Sequence, residues 1–111
     1  MPNITVKNKA TGAVIASSQL GKGVLSVEGN YYFSRENVDF AGLTKVSKAY
    51  HCPIKNSDCD YYYLSDQSGK KMDRELCWIY EEIDNSLFKQ IAGKVGFYTT
   101  PPSNGSEVIT E

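Results

Sequence analysis

A chain of 111 residues suits one domain with a single core. Twelve Lys and Arg against thirteen Asp and Glu leave a formal charge of −1, which excludes the broad basic footprint of sequence-independent nucleic-acid binding. The opening Met1-Pro2-Asn3-Ile4-Thr5 lacks a charged and then apolar leader, and no apolar run approaches the ~20 residues that span a bilayer, so a soluble cytoplasmic protein with no membrane or nucleic-acid partner is expected.

Ile4–Asn8 and Ala13–Ser17 are β-branched runs separated by Lys9-Ala10-Thr11-Gly12, and they read as an N-terminal hairpin. Val24–Glu28 and Tyr31–Phe33 are two further strands, with Gly29-Asn30 as the turn between them. Ser34 is placed to cap a short helical turn through Arg35-Glu36-Asn37-Val38. Lys45–Tyr50 alternates polar and apolar residues as a half-buried strand does, leading into His51-Cys52 before Pro53 ends its pairing.

Cys59–Leu64 and Glu75–Tyr80 form a hairpin around the turn formers and charges of residues 66–71. Leu87, Phe88 and Ile91 follow Asp84-Asn85-Ser86 with one-faced helical spacing that ends at Gly93, and Lys94–Tyr98 closes the fold as a strand. From Pro101 onward, Pro-Pro-Ser-Asn-Gly-Ser-Glu offers too little apolar surface to offset its ordering cost. The reading is one mainly β domain over residues 1–100 and a flexible tail over 101–111. Pattern alone does not separate a sandwich from a folded-over sheet.

Two aromatic triplets, Tyr31-Tyr32-Phe33 and Tyr61-Tyr62-Tyr63, bracket His51-Cys52-Pro53-Ile54-Lys55. Adjacent strand residues point to opposite faces, so each triplet sends at least one ring away from the main core. Such rings need a second packed layer, a pocket or a partner.

Across Tyr31 to Tyr98 the chain resembles the family catalogued as domain of unknown function 427. The matching pieces are Tyr32-Phe33 with Arg35-Glu36 and Val38, Leu43, His51-Cys52-Pro53 with Lys55, Tyr61-Tyr62, Trp78 with Tyr80, and Ile91-Gly93-Val95-Phe97-Tyr98. The resemblance implies a compact antiparallel β fold of the β-tent, or Mss4-like, group, and some catalogues label the family nucleotidyltransferase-like. Ser34 stands where the family has Pro. Ile54 and Asn56 stand where it has an aromatic and Gly, and the stretch from Lys55 to Tyr61 is one residue longer. Asn tolerates the left-handed conformation that Gly provides, so the loop is expected to keep its shape.

Cys52, Cys59 and Cys77 lack the paired knuckles of a zinc site, so no metal and no cofactor is expected. Cys52 and His51 are weak catalytic candidates, because consecutive strand residues face apart and the imidazole is badly placed to activate its neighbour. Asp58-Cys59-Asp60 has the spacing of a paired-carboxylate metal site but reads better as solvated edge charge. Arg35 and Lys55 are the stronger choices, as cations beside the aromatic strands. Tyr32, Tyr61, Trp78 and Tyr80 would wall the same site, although a Trp is more often core. Arg35 could instead pair with Glu36 or Glu82.

The leading expectation is a pocket for a small anionic or aromatic metabolite, with Arg35, Lys55, Tyr32 and Tyr80 converging on an anion. The alternatives are an enzyme using the same cleft, through nucleotidyl-type transfer or Cys/His chemistry, and a protein-interaction module. A homodimer is left open.

Overall fold

Period-two alternation of apolar side chains builds the architecture. The structure, a computed structural model, describes residues 2–111. Its strands are β1 (Asn3–Asn8), β2 (Val14–Gln19), β3 (Val24–Val27), β4 (Asn30–Phe33), β5 (Thr44–Cys52), β6 (Ser57–Tyr63), β7 (Cys77–Ile79), β8 (Val95–Tyr98) and β9 (Ser106–Thr110). They form a three-stranded sheet in the order β2-β1-β9 and a six-stranded sheet in the order β3-β4-β8-β7-β6-β5. All the ladders are antiparallel, giving the expected mainly β fold. Among the described residues, no helix is long and apolar enough to cross a membrane.

The main core lies between the sheets. Ile4, Val6, Ile15 and Ala16 of the smaller sheet meet Val24, Phe33, Tyr62, Cys77, Ile79, Val95 and Phe97 of the larger one. Phe33 and Phe97 meet edge to face at 5.3 Å, an arrangement that adds about 1 kcal/mol beyond the burial itself.

The opposite face of the large sheet carries a second cluster: Tyr32, Cys52, Cys59, Trp78, Tyr80, Ile83 and Ile91, with Tyr61, Phe88 and Tyr98 packed against it. Each triplet divides as alternation requires. Tyr31 and Phe33 of the first pack on the main core while Tyr32 joins the second cluster; Tyr62 of the second triplet packs on the core while Tyr61 joins the second cluster. The extra layer over this face comes from a 3-10 turn at Ser86–Ile91, which contributes Phe88 and Ile91. Asn85 caps that turn, its side chain accepting from the Leu87 N–H.

The largest departure from expectation is at the C-terminus. Residues 101–111, expected as a flexible tail, contain β9, which pairs with β1 from Ile4↔Thr110 to Asn8↔Ser106. Asn104 is fully buried and ties this segment to the body, donating from Nδ2 to the Glu75 carbonyl at 3.0 Å and accepting from Ser106 N–H at 3.0 Å. Turn-rich composition was misleading because the free edge of β1 supplies the partner that a local reading omits.

Two smaller differences and one agreement concern turns. The β3–β4 turn centres on Glu28-Gly29 rather than Gly29-Asn30, with φ of 52° and 77°, as a type I′ turn demands. Arg35–Asn37 is a 3-10 turn, and the Ser34 hydroxyl makes no capping bond to it. In the β5–β6 loop Asn56 takes φ 50°, the left-handed conformation expected of it in place of Gly.

Candidate functional site

Register places the aromatic residues of the second face in a row. Tyr32 pairs with Gly96, Gly96 with Trp78, and Trp78 with Tyr61 across strands β4, β8, β7 and β6. Gly96 makes the row possible. A Cβ there would stand 2.3 Å from Trp78 Nε1 and 2.8 Å from Tyr32 Cε2, so only glycine lets both rings lie over the strand. The Trp78 indole N–H then donates to the Tyr32 hydroxyl at 3.2 Å.

Beside this row opens a cleft of about 190 Å³ walled by Tyr50, Tyr61, Trp78, Tyr80 and Tyr98, with Asn30 and Glu75 as its polar groups. Trp78 and Tyr98 stand nearly perpendicular, 4.9 Å between centroids, and form one corner. The Tyr98 hydroxyl donates to the Glu75 carboxylate. Burial, and then the neighbouring Cys59 and Glu75, push the Tyr61 hydroxyl up to about 12. Tyr63 and Tyr98 are raised as well, by burial and then by Glu75. All three phenols therefore remain neutral hydrogen-bonding groups at physiological pH.

The two expected cations lie elsewhere, each on its own carboxylate. Lys55 is buried, its ammonium 2.8 Å from Glu28 Oε1, 4.6 Å from the Phe88 ring centre and 5.3 Å from that of Tyr80. Burial alone would lower its pKa, but the Glu28 hydrogen bond and nearby Cys52 outweigh this and raise it. Arg35 is half exposed and grips Glu81 through both guanidinium nitrogens, at 2.9 and 3.1 Å, rather than Glu36 or Glu82. Of the residues singled out in the sequence, Tyr61, Trp78 and Tyr80 share the aromatic cleft. Tyr32 braces Trp78 from below, and Lys55 and Arg35 stand outside the wall.

The catalytic candidates also separate. His51 is exposed and bonded through Nδ1 to Asp58 at 2.8 Å, whereas Cys52 is buried on the other face with its sulfur 4.0 Å from Lys55 Nζ. The imidazole and the thiol therefore do not form a nucleophile and base pair. Burial raises the thiol of Cys59, to about 12, and that of Cys77. An acidic cleft of about 400 Å³ runs along Asp58, Asp60, Glu81, Glu82 and Asp84, with Lys48 and His51 on its rim. Among the described residues, no three His, Cys, Asp or Glu side chains converge as metal ligands would.

Sequence reasoning missed Tyr50, Tyr98, Glu75 and Asn30 as cleft residues, and Glu28 and Glu81 as the partners of the two cations. Tyr98 was legible in principle, since it lies two residues from Gly96 and so on the same face. Glu75 and Glu81 flank β7, and their neighbours depend on register that local pattern does not supply.

Residues 3–107 match the family described as Domain of unknown function (DUF427), and the chain belongs to that family. A comparison with curated proteins gives no match.

Proposed function

We propose that this domain is a small-molecule-binding module whose site is the aromatic cleft on the second face of the large sheet. The observation that carries the reading is the corner made by Trp78 and Tyr98, open beside Tyr61 and Tyr50 instead of being filled by the chain itself. Concave apolar walls with a few convergent polar groups are the usual make-up of a ligand site. Of the two ligand types expected from sequence, the planar aromatic one keeps its support, because rings stack on such walls. The anionic one loses it, because Lys55 and Arg35 are each neutralised by a carboxylate and the charged group in the cleft is Glu75.

Trp78 is the single tryptophan, so its emission reports the site directly. Titration with neutral planar aromatics that do not emit with tryptophan, such as nucleosides, should change Trp78 fluorescence saturably and raise the melting temperature. Tyr50, which is 46% exposed, can be changed to Ala without loss of core packing, and Tyr50→Ala should weaken both responses. Ligand stabilisation that survives in Tyr50→Ala and disappears in Arg35→Ala would contradict the assignment.

A second reading, as a protein-interaction module, draws on β5. This edge strand, expected from its alternation to be half-buried, is exposed at every position except Cys52, because no layer packs on it, and it presents Val46 and Tyr50. Its bulge between Val46 and Tyr50 twists the edge, with Lys48 at φ 52° and its N–H held by Asp60 at 2.8 Å. Such bulges blunt open-ended pairing, which leaves the cleft as the better-supported site.

A further inference from the structure

We propose that the group recognised in the cleft is an organic cation, an alkylammonium or guanidinium head, seated against Trp78, Tyr98 and Tyr61 with Glu75 as its counter-charge. The inference rests on the cleft being the ligand site and adds the chemistry of what enters it.

Three observations support it independently. First, the cleft combines ring faces with a carboxylate. Aromatic faces are negative at their centres, and the rings of Tyr50, Tyr61, Trp78, Tyr80 and Tyr98 wall one cleft together. The Glu75 side chain is 13% exposed, so its charge acts through a partly desolvated medium.

Second, the same face already holds the chain's own cations on rings. Lys71 Nζ lies 3.8 Å from the Tyr63 ring centre, and Lys55 Nζ lies 4.6 Å from that of Phe88. Among the described residues, no lysine or arginine stands over Trp78. Tyr63 is the ring neighbour of Tyr61, 6.4 Å away.

Third, size favours a head group. About 190 Å³ accommodates a trimethylammonium or guanidinium group with part of its chain, and is below the range usual for a whole nucleotide-sized ligand. One cation competes for the carboxylate. Arg74, half exposed, reaches Glu75 loosely at 3.9 Å, a distance that a smaller bound cation can improve upon.

The test uses the full chain at fixed ionic strength, with Trp78 emission as the readout. The probes are choline, methylguanidinium and the neutral carbon isostere of choline, in which a tert-butyl group replaces the trimethylammonium. At least one cation should bind saturably, and the tert-butyl isostere should bind at least about tenfold more weakly than choline. Glu75→Gln, which keeps an acceptor for the Tyr98 hydroxyl, should weaken the cation at least about tenfold and leave the isostere unchanged. Circular dichroism of Glu75→Gln establishes that it is folded, and Arg74→Ala, which frees the Glu75 carboxylate while the Tyr98 hydroxyl keeps its bond to Glu75, should tighten cation binding. If the isostere or a nucleoside binds as well as either cation, or Glu75→Gln and Arg74→Ala change nothing, the cation is overturned while the cleft reading stands. If cations, isostere and aromatic probes all fail to change Trp78 emission, both readings fall.

Discussion

Gly96 lies directly opposite Trp78 in the β7–β8 ladder, and the indole occupies the space that any other residue's Cβ would need. The aromatic wall therefore depends on an absent side chain. Gly96→Ala should destabilise the fold by about 1–3 kcal/mol, the usual cost of overpacking, and shift Trp78 emission in the folded state. Urea denaturation followed by fluorescence measures both. A variant as stable as the parent with unchanged emission would mean that the strand moves aside without cost.

Removing residues 101–111 should be costly. The deletion strips β9 from β1 and takes away Asn104, which is fully buried. Truncation after Thr100 should lower the melting temperature by several degrees or prevent folding. Asn104→Ala alone should cost about 1–3 kcal/mol, because the Glu75 carbonyl and the Ser106 N–H lose their partner. Thermal melts that superimpose on those of the parent would show that β9 contributes nothing.

Glu28 occupies a left-handed turn position, φ 52°, where Gly or Asn would be more at ease, and from there it neutralises buried Lys55. Two effects therefore oppose each other in Glu28→Asn: the turn relaxes, and the ammonium loses its carboxylate. The pair should win, giving a net loss of about 1–2 kcal/mol, reduced from the fully buried case because Glu28 is half exposed. Lys55→Met together with Glu28→Asn should recover most of it. A Glu28→Asn protein more stable than the parent would show that turn strain dominates.

Stability should fall in alkali. Burial raises the Cys59 thiol to about 12, and burial, Cys59 and Glu75 raise the Tyr61 hydroxyl to about 12. In the unfolded chain these groups ionise near about 8.5 and 10. Between those values and about 12 the unfolded state releases protons that the folded state retains, so unfolding is favoured as pH rises. Stability should be flat through neutral pH and drop from about pH 9 upward, with Cys59→Ala reducing the slope near pH 9 and buried Cys77 supplying the part that remains. Urea midpoints at a series of pH values check this. A midpoint that holds steady up to pH 11 would contradict the burial of these groups.

Strand positions were readable because period-two alternation is local. Tyr31-Tyr32-Phe33 and Tyr61-Tyr62-Tyr63 announce two-sided burial in a sheet that has a core on each face. The left-handed Asn56 was readable for the same reason. Nothing local shows that β9 finds β1, or that Arg35 grips Glu81 from 46 residues away. Those contacts follow from topology, and the assignment of cations to partners follows from them. Tyr61, Trp78 and Tyr80, singled out by residue type and by their place in the motifs of the resemblance, line the cleft, whereas Glu75 was missed because a carboxylate beside Arg74 and near Lys71 resembles ordinary surface charge.

The central claim is that the ligand site is the aromatic face and not the Arg35 or Lys55 region. Amide and indole chemical-shift mapping during titration with the tightest-binding probe tests it most directly. The account predicts that the largest shifts fall on the Trp78 indole N–H and on the amides of Tyr61, Tyr98 and Glu75, with Arg35 and Glu81 unmoved. Shifts concentrated at Arg35, Glu81 and Lys55, with the Trp78 indole N–H stationary, would contradict it.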